Sequence, residues 1–233
     1  LGFGSEMIPW GDVMNRFSTF LQFINNSIFR NSTTQFLYLS IIYYIFLVSV
    51  FLFGGYKPGH DSLYYWQWSQ HLSINYFDGP LGIAYYIKVL SLLLGSSLTA
   101  VVLSGFISIA LLSLLVYFFA RILFGSKVGY LAAAFFLVSP LTLGIYAFQI
   151  TYDTPACFFS LLTLICFYQF HVKRQLPYLY LCALFGLCMM LSKYTGAVLF
   201  FSLIVLVFTS KPYRHFLKNI HTYISLVLTL VVF

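Results

Sequence analysis

The sequence predicts an all-α polytopic membrane protein, a transmembrane helix bundle, and three observations predict it. The chain of 233 residues is 61% apolar and only 7% charged, whereas a soluble domain runs about 25% charged. Its mean hydropathy is +0.92. Its apolar residues also fall into successive runs, and at about 20 such residues per spanning helix the chain has room for about six to eight spans. These features exclude an ordinary cytosolic enzyme. Twelve Lys and Arg against five Asp and Glu give a net charge of +7, and charges this sparse mark cytoplasmic loops rather than a nucleic-acid surface.

Residues 1–35 are mixed and polar enough to form a cytoplasmic leader, with an interfacial helix around 13–29, and 36–233 forms the transmembrane domain. The chain starts at Leu1 without an initiator Met and stops inside the apolar run 223–233, which is too short to span, so the expectation is an incomplete protein, truncated at the C-terminus. No basic segment leads into a short apolar stretch with a small-residue cleavage site, which argues against a cleaved signal peptide. The remaining apolar runs are 36–53, 81–94, 98–124, 128–148, 154–170, 178–191 and 196–209. Cys157, Cys166, Cys182 and Cys188 sit within such runs without CxxC or Cys/His spacing. They read as packing or lipid-facing residues rather than zinc ligands or a disulfide framework.

Orientation follows from Lys and Arg, which concentrate in cytoplasmic loops. Arg121 with Lys127, Lys173 with Arg174, and Lys211 with Arg214 and Lys218 mark three cytoplasmic loops, and Arg16 and Arg30 put the N-terminus on the same side. An even number of crossings must then separate the N-terminus from Arg121, yet three apolar runs intervene. The run 81–94 is short and carries Lys88, where a mid-membrane charge costs about 2.5–3.5 kcal/mol. It is therefore expected to be interfacial or re-entrant. The long loop 54–80, the turn 149–153 and the junction 192–194 then share the outer face. Asp61, Asp78, Asp153 and Lys193 meet there, and ionisable groups at membrane depth tend to pair, bind an ion or act on a substrate.

The segment His60-Asp61-Ser62-Leu63-Tyr64-Tyr65-Trp66-Gln67-Trp68-Ser69-Gln70-His71-Leu72, followed by Tyr76-Phe77-Asp78-Gly79-Pro80-Leu81, resembles the first outer loop of polyprenyl-phosphate-dependent glycosyltransferases of the GT-C superfamily. That superfamily includes the protein O-mannosyltransferases and the lipid A aminoarabinose transferases. Thr151-Tyr152-Asp153-Thr154-Pro155 and Leu191-Ser192-Lys193-Tyr194-Thr195 are similar to two later motifs, in the same order. Ser62 stands where the family usually has Glu, and Gly79-Pro80-Leu81 departs from its usual Pro-Pro.

The resemblance implies a GT-C-type bundle with a long first outer loop carrying interfacial helices. It implies Asp61 and Asp153 as catalytic carboxylates, with Asp61 accepting the acceptor's proton. Lys193 would neutralise the leaving phosphate, and a divalent metal ion would sit among the acidic residues, on Asp78 and Asp153. The implied reaction transfers a sugar, with inversion, from a polyprenyl-phosphate donor to a lipid, glycan or protein acceptor on the outer face of a bacterial cytoplasmic membrane. Tyr64, Tyr65, Trp66 and Trp68 fit an aromatic belt at the headgroup level, with sugar stacking as the other reading. His60 and His71 lack ligand spacing and stay outside the site. A lipid-linked sugar transporter or flippase would call for paired broken helices in two matching halves, which the sequence does not display; an inactive truncated copy is the third reading.

Overall fold

The computed structural model describes residues 32–55, 57–143 and 147–233. Residues 1–31 of the expected leader, with the interfacial helix expected around 13–29, lie outside the described residues; the first described helix begins at Ser32 and takes in residues 32–35. In chain order the helices of the described residues are α1 (Ser32–Phe53), α2 (His60–Gln70), α3 (Gly82–Leu94), α4 (Leu98–Phe124), α5 (Ser126–Val138), α6 (Asp153–Lys173), α7 (Leu176–Ser192), α8 (Gly196–Thr209) and α9 (Ile220–Val232), with 3₁₀ turns at Lys211–Tyr213 and Phe216–Lys218. No strand occurs among the described residues, where Tyr76 and Gly79 form a lone antiparallel bridge. The fold is an all-α membrane bundle.

Three of these helices, α1, α4 and α6, are long and apolar enough to cross a membrane, and α8 joins them only if it is counted together with the turns that follow it. Against the expected six to eight spans, the described residues therefore hold three or four of span length, and Gly82–Leu94, Ser126–Val138, Leu176–Ser192 and Ile220–Val232 are shorter apolar helices. The run 128–148 is cut at Pro140, whose ring pushes the preceding residue out of the helical region. Ser139 accordingly takes φ −62°, ψ 139° and ends α5. Its Oγ then accepts from the Thr142 N–H at 3.2 Å, starting the next turn. At the α4–α5 corner Gly125 adopts φ +92°, where its N–H closes onto Arg121 O at 2.9 Å.

Two of the packed groups among the described residues hold the long helices together. Tyr43 and Leu47 of α1, Val102, Phe106, Ile109 and Leu112 of α4, and Leu137 of α5 form one core. Phe167 and Phe170 of α6, Leu179 of α7, Leu203 and Val207 of α8, and Phe216 form the other. The helix α4 is the central element, with over half of its apolar window buried, and it runs beside α6 in the same direction. Tyr86 ties the two at one level by donating to Ser108 Oγ at 3.0 Å and packing its ring against Phe158. Elsewhere the outer surface stays apolar: Ile42, Phe46, Val205 and Phe208 are all more than half exposed, as lipid contact requires.

The described carboxylates are segregated along the bundle. Asp61, Asp78 and Asp153 lie at one end, which we call the acidic end, with Lys57, Lys88 and Lys193 beside them. Arg121, Lys127, Lys173, Arg174, Lys211, Arg214 and Lys218 lie at the other, where α4, α6 and α8 finish. The helix α3 begins and ends at the acidic end. Its first residue, Gly82, is pressed so close to Leu191 and Ser192 at the end of α7 that a Cβ would sit 2.7 Å from Leu191 O. Its far end leads through Gly95 into Ser97, whose Oγ caps α4 by accepting from the Ala100 N–H. At 13 residues the helix is about 20 Å long, against a hydrocarbon core of about 30 Å.

Candidate active site

The helix α2 lies across the acidic end. Gly59, in extended conformation, caps its start, and Asp61 sits in the first turn, where a carboxylate complements the helix dipole. Its register is fixed by Ser62, which is fully buried. The Ser62 hydroxyl accepts from the Ile150 N–H at 2.9 Å and lies 3.4 Å from Ile150 O, to which it donates. Beside it Tyr65 packs with Ile83, Ile87, Val101 and Ile150. Asp61, one residue before the buried serine, is left exposed.

The loop that Ser62 holds leads directly into α6, whose first residue is Asp153. Its carboxylate accepts from Lys193 Nζ at 2.5 Å. Lys193 is the residue that ends α7, in extended conformation at φ −155°. Because α6 and α7 are antiparallel neighbours, the pair sets an acid at a helix N-terminus against a base at a helix C-terminus, and both dipoles favour it. Lys193 Nζ also stands 4.8 Å from the centre of the Tyr152 ring, a cation–π distance. Tyr152 in turn meets Tyr65 edge-on at 5.5 Å. A continuous chain therefore runs from Lys193 through Tyr152 to Tyr65 and so to α2. With side chains 31% and 33% exposed, the ion pair adds only modest stability; its interest lies in what it positions.

Asp78 is handled differently. Tyr64 donates to its Oδ2 at 2.6 Å on the exposed side of α2. The loop between is closed by Tyr76, whose ring stacks on Trp68 at 4.2 Å and whose hydroxyl donates to Trp68 O or His71 O. Two members of the aromatic cluster, Tyr64 and Trp68, are thus engaged in holding the loop together. The sequence places Asp78 and Asp153 as shared metal ligands; the structure gives each another partner. Among the described residues no three His, Cys, Asp or Glu side chains come close enough to hold a metal ion.

Two phenols register this electrostatic setting. Burial, followed by the neighbouring Tyr152 and the carboxylates of Asp61 and Asp153, pushes the Tyr65 hydroxyl well above the ordinary tyrosine range. Tyr65 therefore feels both acids at once. The hydrogen bond to Asp78 raises Tyr64, because a phenolate could not donate it. Sequence reasoning singled out Asp153 and Lys193 but missed Tyr152, over whose ring Lys193 stands, although it adjoins Asp153. It also read Ser62 only as a departure from a motif.

A helix bundle with an apolar outer surface and these three motifs gathered at one end defines a membrane glycosyltransferase of the GT-C type. Residues 78–233 match the family model described as dolichyl-phosphate-mannose-protein mannosyltransferase. The chain belongs to that family. No curated protein and no solved structure matches it. The matched stretch includes Asp78, Asp153 and Lys193, whereas Asp61 and α2 precede it; their place in the site rests on the Ser62 and Tyr65 contacts.

Proposed function

We propose that the chain transfers a sugar from a polyprenyl-phosphate donor to an acceptor on the outer face of a bacterial cytoplasmic membrane, with inversion at the anomeric carbon. The observation that carries this reading is the Asp153–Lys193 pair, joined through Tyr152 and Tyr65 to the helix that bears Asp61. It brings a cation for a phosphate and two carboxylates to one end of the bundle.

In this reading the exposed Asp61 takes the proton from an acceptor hydroxyl as its oxygen attacks the anomeric carbon. The bond from that carbon to the phosphate oxygen breaks on the opposite side, and its electron pair leaves with the polyprenyl phosphate. Lys193 neutralises the charge that develops there. Asp153 holds Lys193 in position and Tyr152 backs it with a π face. The basic end is the cytoplasmic one in this scheme, following the excess of Lys and Arg.

The test measures transfer from a polyprenyl-phosphate sugar, and donor binding separately, for two variants. Asp61→Asn keeps the carboxylate's shape and loses its basicity, so transfer should fall about 10²- to 10⁴-fold while donor binding persists. Lys193→Ala should weaken binding and turnover together. Turnover near the unmodified level in Asp61→Asn would overturn the assignment of the base, and retention of the anomeric configuration in the product would overturn the single displacement.

A further inference from the structure

We propose that the basic end of the bundle binds one anionic diacyl phospholipid, with its phosphate on Lys211, Arg214 and Lys218 and one acyl chain in the recess between α7, α8 and α9. This goes beyond the proposed transfer reaction and does not depend on it.

The segment that follows α8 turns away from the helix axis by 97°, so it lies crosswise to the bundle. Its apolar side is driven inward: Phe216 is 2% exposed and packs on Phe167 and Phe170 at 4.8 and 4.7 Å, while Tyr213 stacks on Phe167 at 5.4 Å. Lys211, Arg214 and Lys218 are left exposed on the other side. Eight residues thus carry three fixed cations and no acid. All three described carboxylates lie at the opposite end of the molecule. An anchored aromatic side with a cationic outer side is the pattern of a segment lying in a membrane interface.

Directly beneath this segment is an apolar recess of about 100 Å³ lined by Leu179, Ala183, Leu203, Val207, Leu217 and Leu226. Phe208 and Tyr223, both exposed, also line it. Leu217, in its lining, adjoins Lys218 in the chain, so the hydrocarbon-lined space and the cations share one rim. Thr222 also lines the recess, and its buried hydroxyl has no hydrogen-bond partner. A buried donor left unmade costs free energy, and an ester or phosphate oxygen at the mouth would satisfy it. The combination selects a ligand with one anionic head and an adjoining hydrocarbon chain. A zwitterionic headgroup would bring its own cation against three others.

The experiment uses the whole chain, delipidated in detergent and re-exposed to phosphatidylglycerol or phosphatidylcholine, with retained lipid counted by native mass spectrometry. Phosphatidylglycerol should be retained in preference, by up to about a hundredfold for three interfacial cations. Lys211→Gln/Arg214→Gln/Lys218→Gln should bring the preference close to one. Arg121→Gln/Lys127→Gln removes charge at the same end away from the recess and should leave it intact. Thr222→Phe, which fills the recess, should reduce retention without touching a charge. Equal retention of both lipids, an equal loss in the Arg121/Lys127 variant, or full displacement of the lipid by millimolar inorganic phosphate would each overturn the proposal.

Discussion

Ser62→Ala isolates the contact that fixes α2 on the site. The substitution removes one oxygen from a fully buried position and strands the Ile150 N–H, which the hydroxyl meets at 2.9 Å. Ile150 is itself 1% exposed, so water does not replace the lost partner. An unsatisfied buried group costs about 1–3 kcal/mol. If the loss acts on local opening, protection of the Ile150 amide should drop about 5- to 150-fold, at tenfold per 1.4 kcal/mol. Hydrogen exchange read by mass spectrometry over peptides spanning 147–153 measures this directly. Ser69→Ala is the matched control: Ser69 is equally buried on the same helix, but its hydroxyl donates to Trp66 O, within the helix. Unchanged protection at residue 150 in Ser62→Ala, or an equal effect of Ser69→Ala, would refute the idea that this hydroxyl joins α2 to the loop before Asp153. Sugar transfer should fall with it, because Asp61 is carried by the same turn.

Gly82→Val should destabilise the bundle by about 1–3 kcal/mol, since its Cβ would meet Leu191 O and Ser192 Oγ at 2.7 Å; detergent-solubilised protein should unfold at lower temperature, and an unchanged midpoint would contradict the close α3–α7 approach. In a cysteine-free background, Gln67→Cys and Tyr194→Cys should react with an impermeant thiol reagent from one side of the membrane and Arg174→Cys from the other. Opposite labelling of positions 67 and 194 would break the shared site. Because Asp78 and Asp153 are engaged by Tyr64 and Lys193, chelation with EDTA should leave the transfer rate within about twofold, well short of the several kcal/mol a catalytic metal supplies; abolition reversed by added Mg²⁺ or Mn²⁺ would overturn that expectation. Asp153→Asn should slow release of the spent lipid phosphate, measured in single-turnover and chase experiments, and faster release would contradict the pairing role given to Asp153.

The helical class was legible because apolar runs and scarce charge leave few alternatives, and the Lys and Arg distribution led correctly to a common end for residues 54–80, 149–153 and 192–194. Lys88 and the short run around it led to a helix that starts and finishes at that end. What the sequence concealed was local. Pro140 interrupts a run whose hydropathy never falters, so composition counts one span where the backbone makes a short helix and a turn. The Asp153–Lys193 pair joins residues 40 apart, and no sequence periodicity announces a contact between the ends of antiparallel neighbours. Ser62 is polar, and polarity in an outer loop suggests solvent; only packing reveals that it faces inward to meet a backbone amide. Asp78 carries the opposite lesson, since its position in a motif gives no sign that Tyr64 reaches it first.

The ion pair at the end of α6 and α7 has a kinetic meaning. An anion that approaches Lys193 finds the cation already engaged by a rival tethered to the same scaffold, at an effective concentration that bulk ligand cannot readily match. Capture is then an exchange, and a weakly charged headgroup gains little by it, whereas a phosphate with several acceptor oxygens gains more. The same competition operates in reverse. Once a bound anion loosens, the resident carboxylate can recapture the ammonium and hasten departure. A built-in competitor of this kind favours rapid turnover over tight holding, which suits the exchange of lipid phosphates in the proposed reaction.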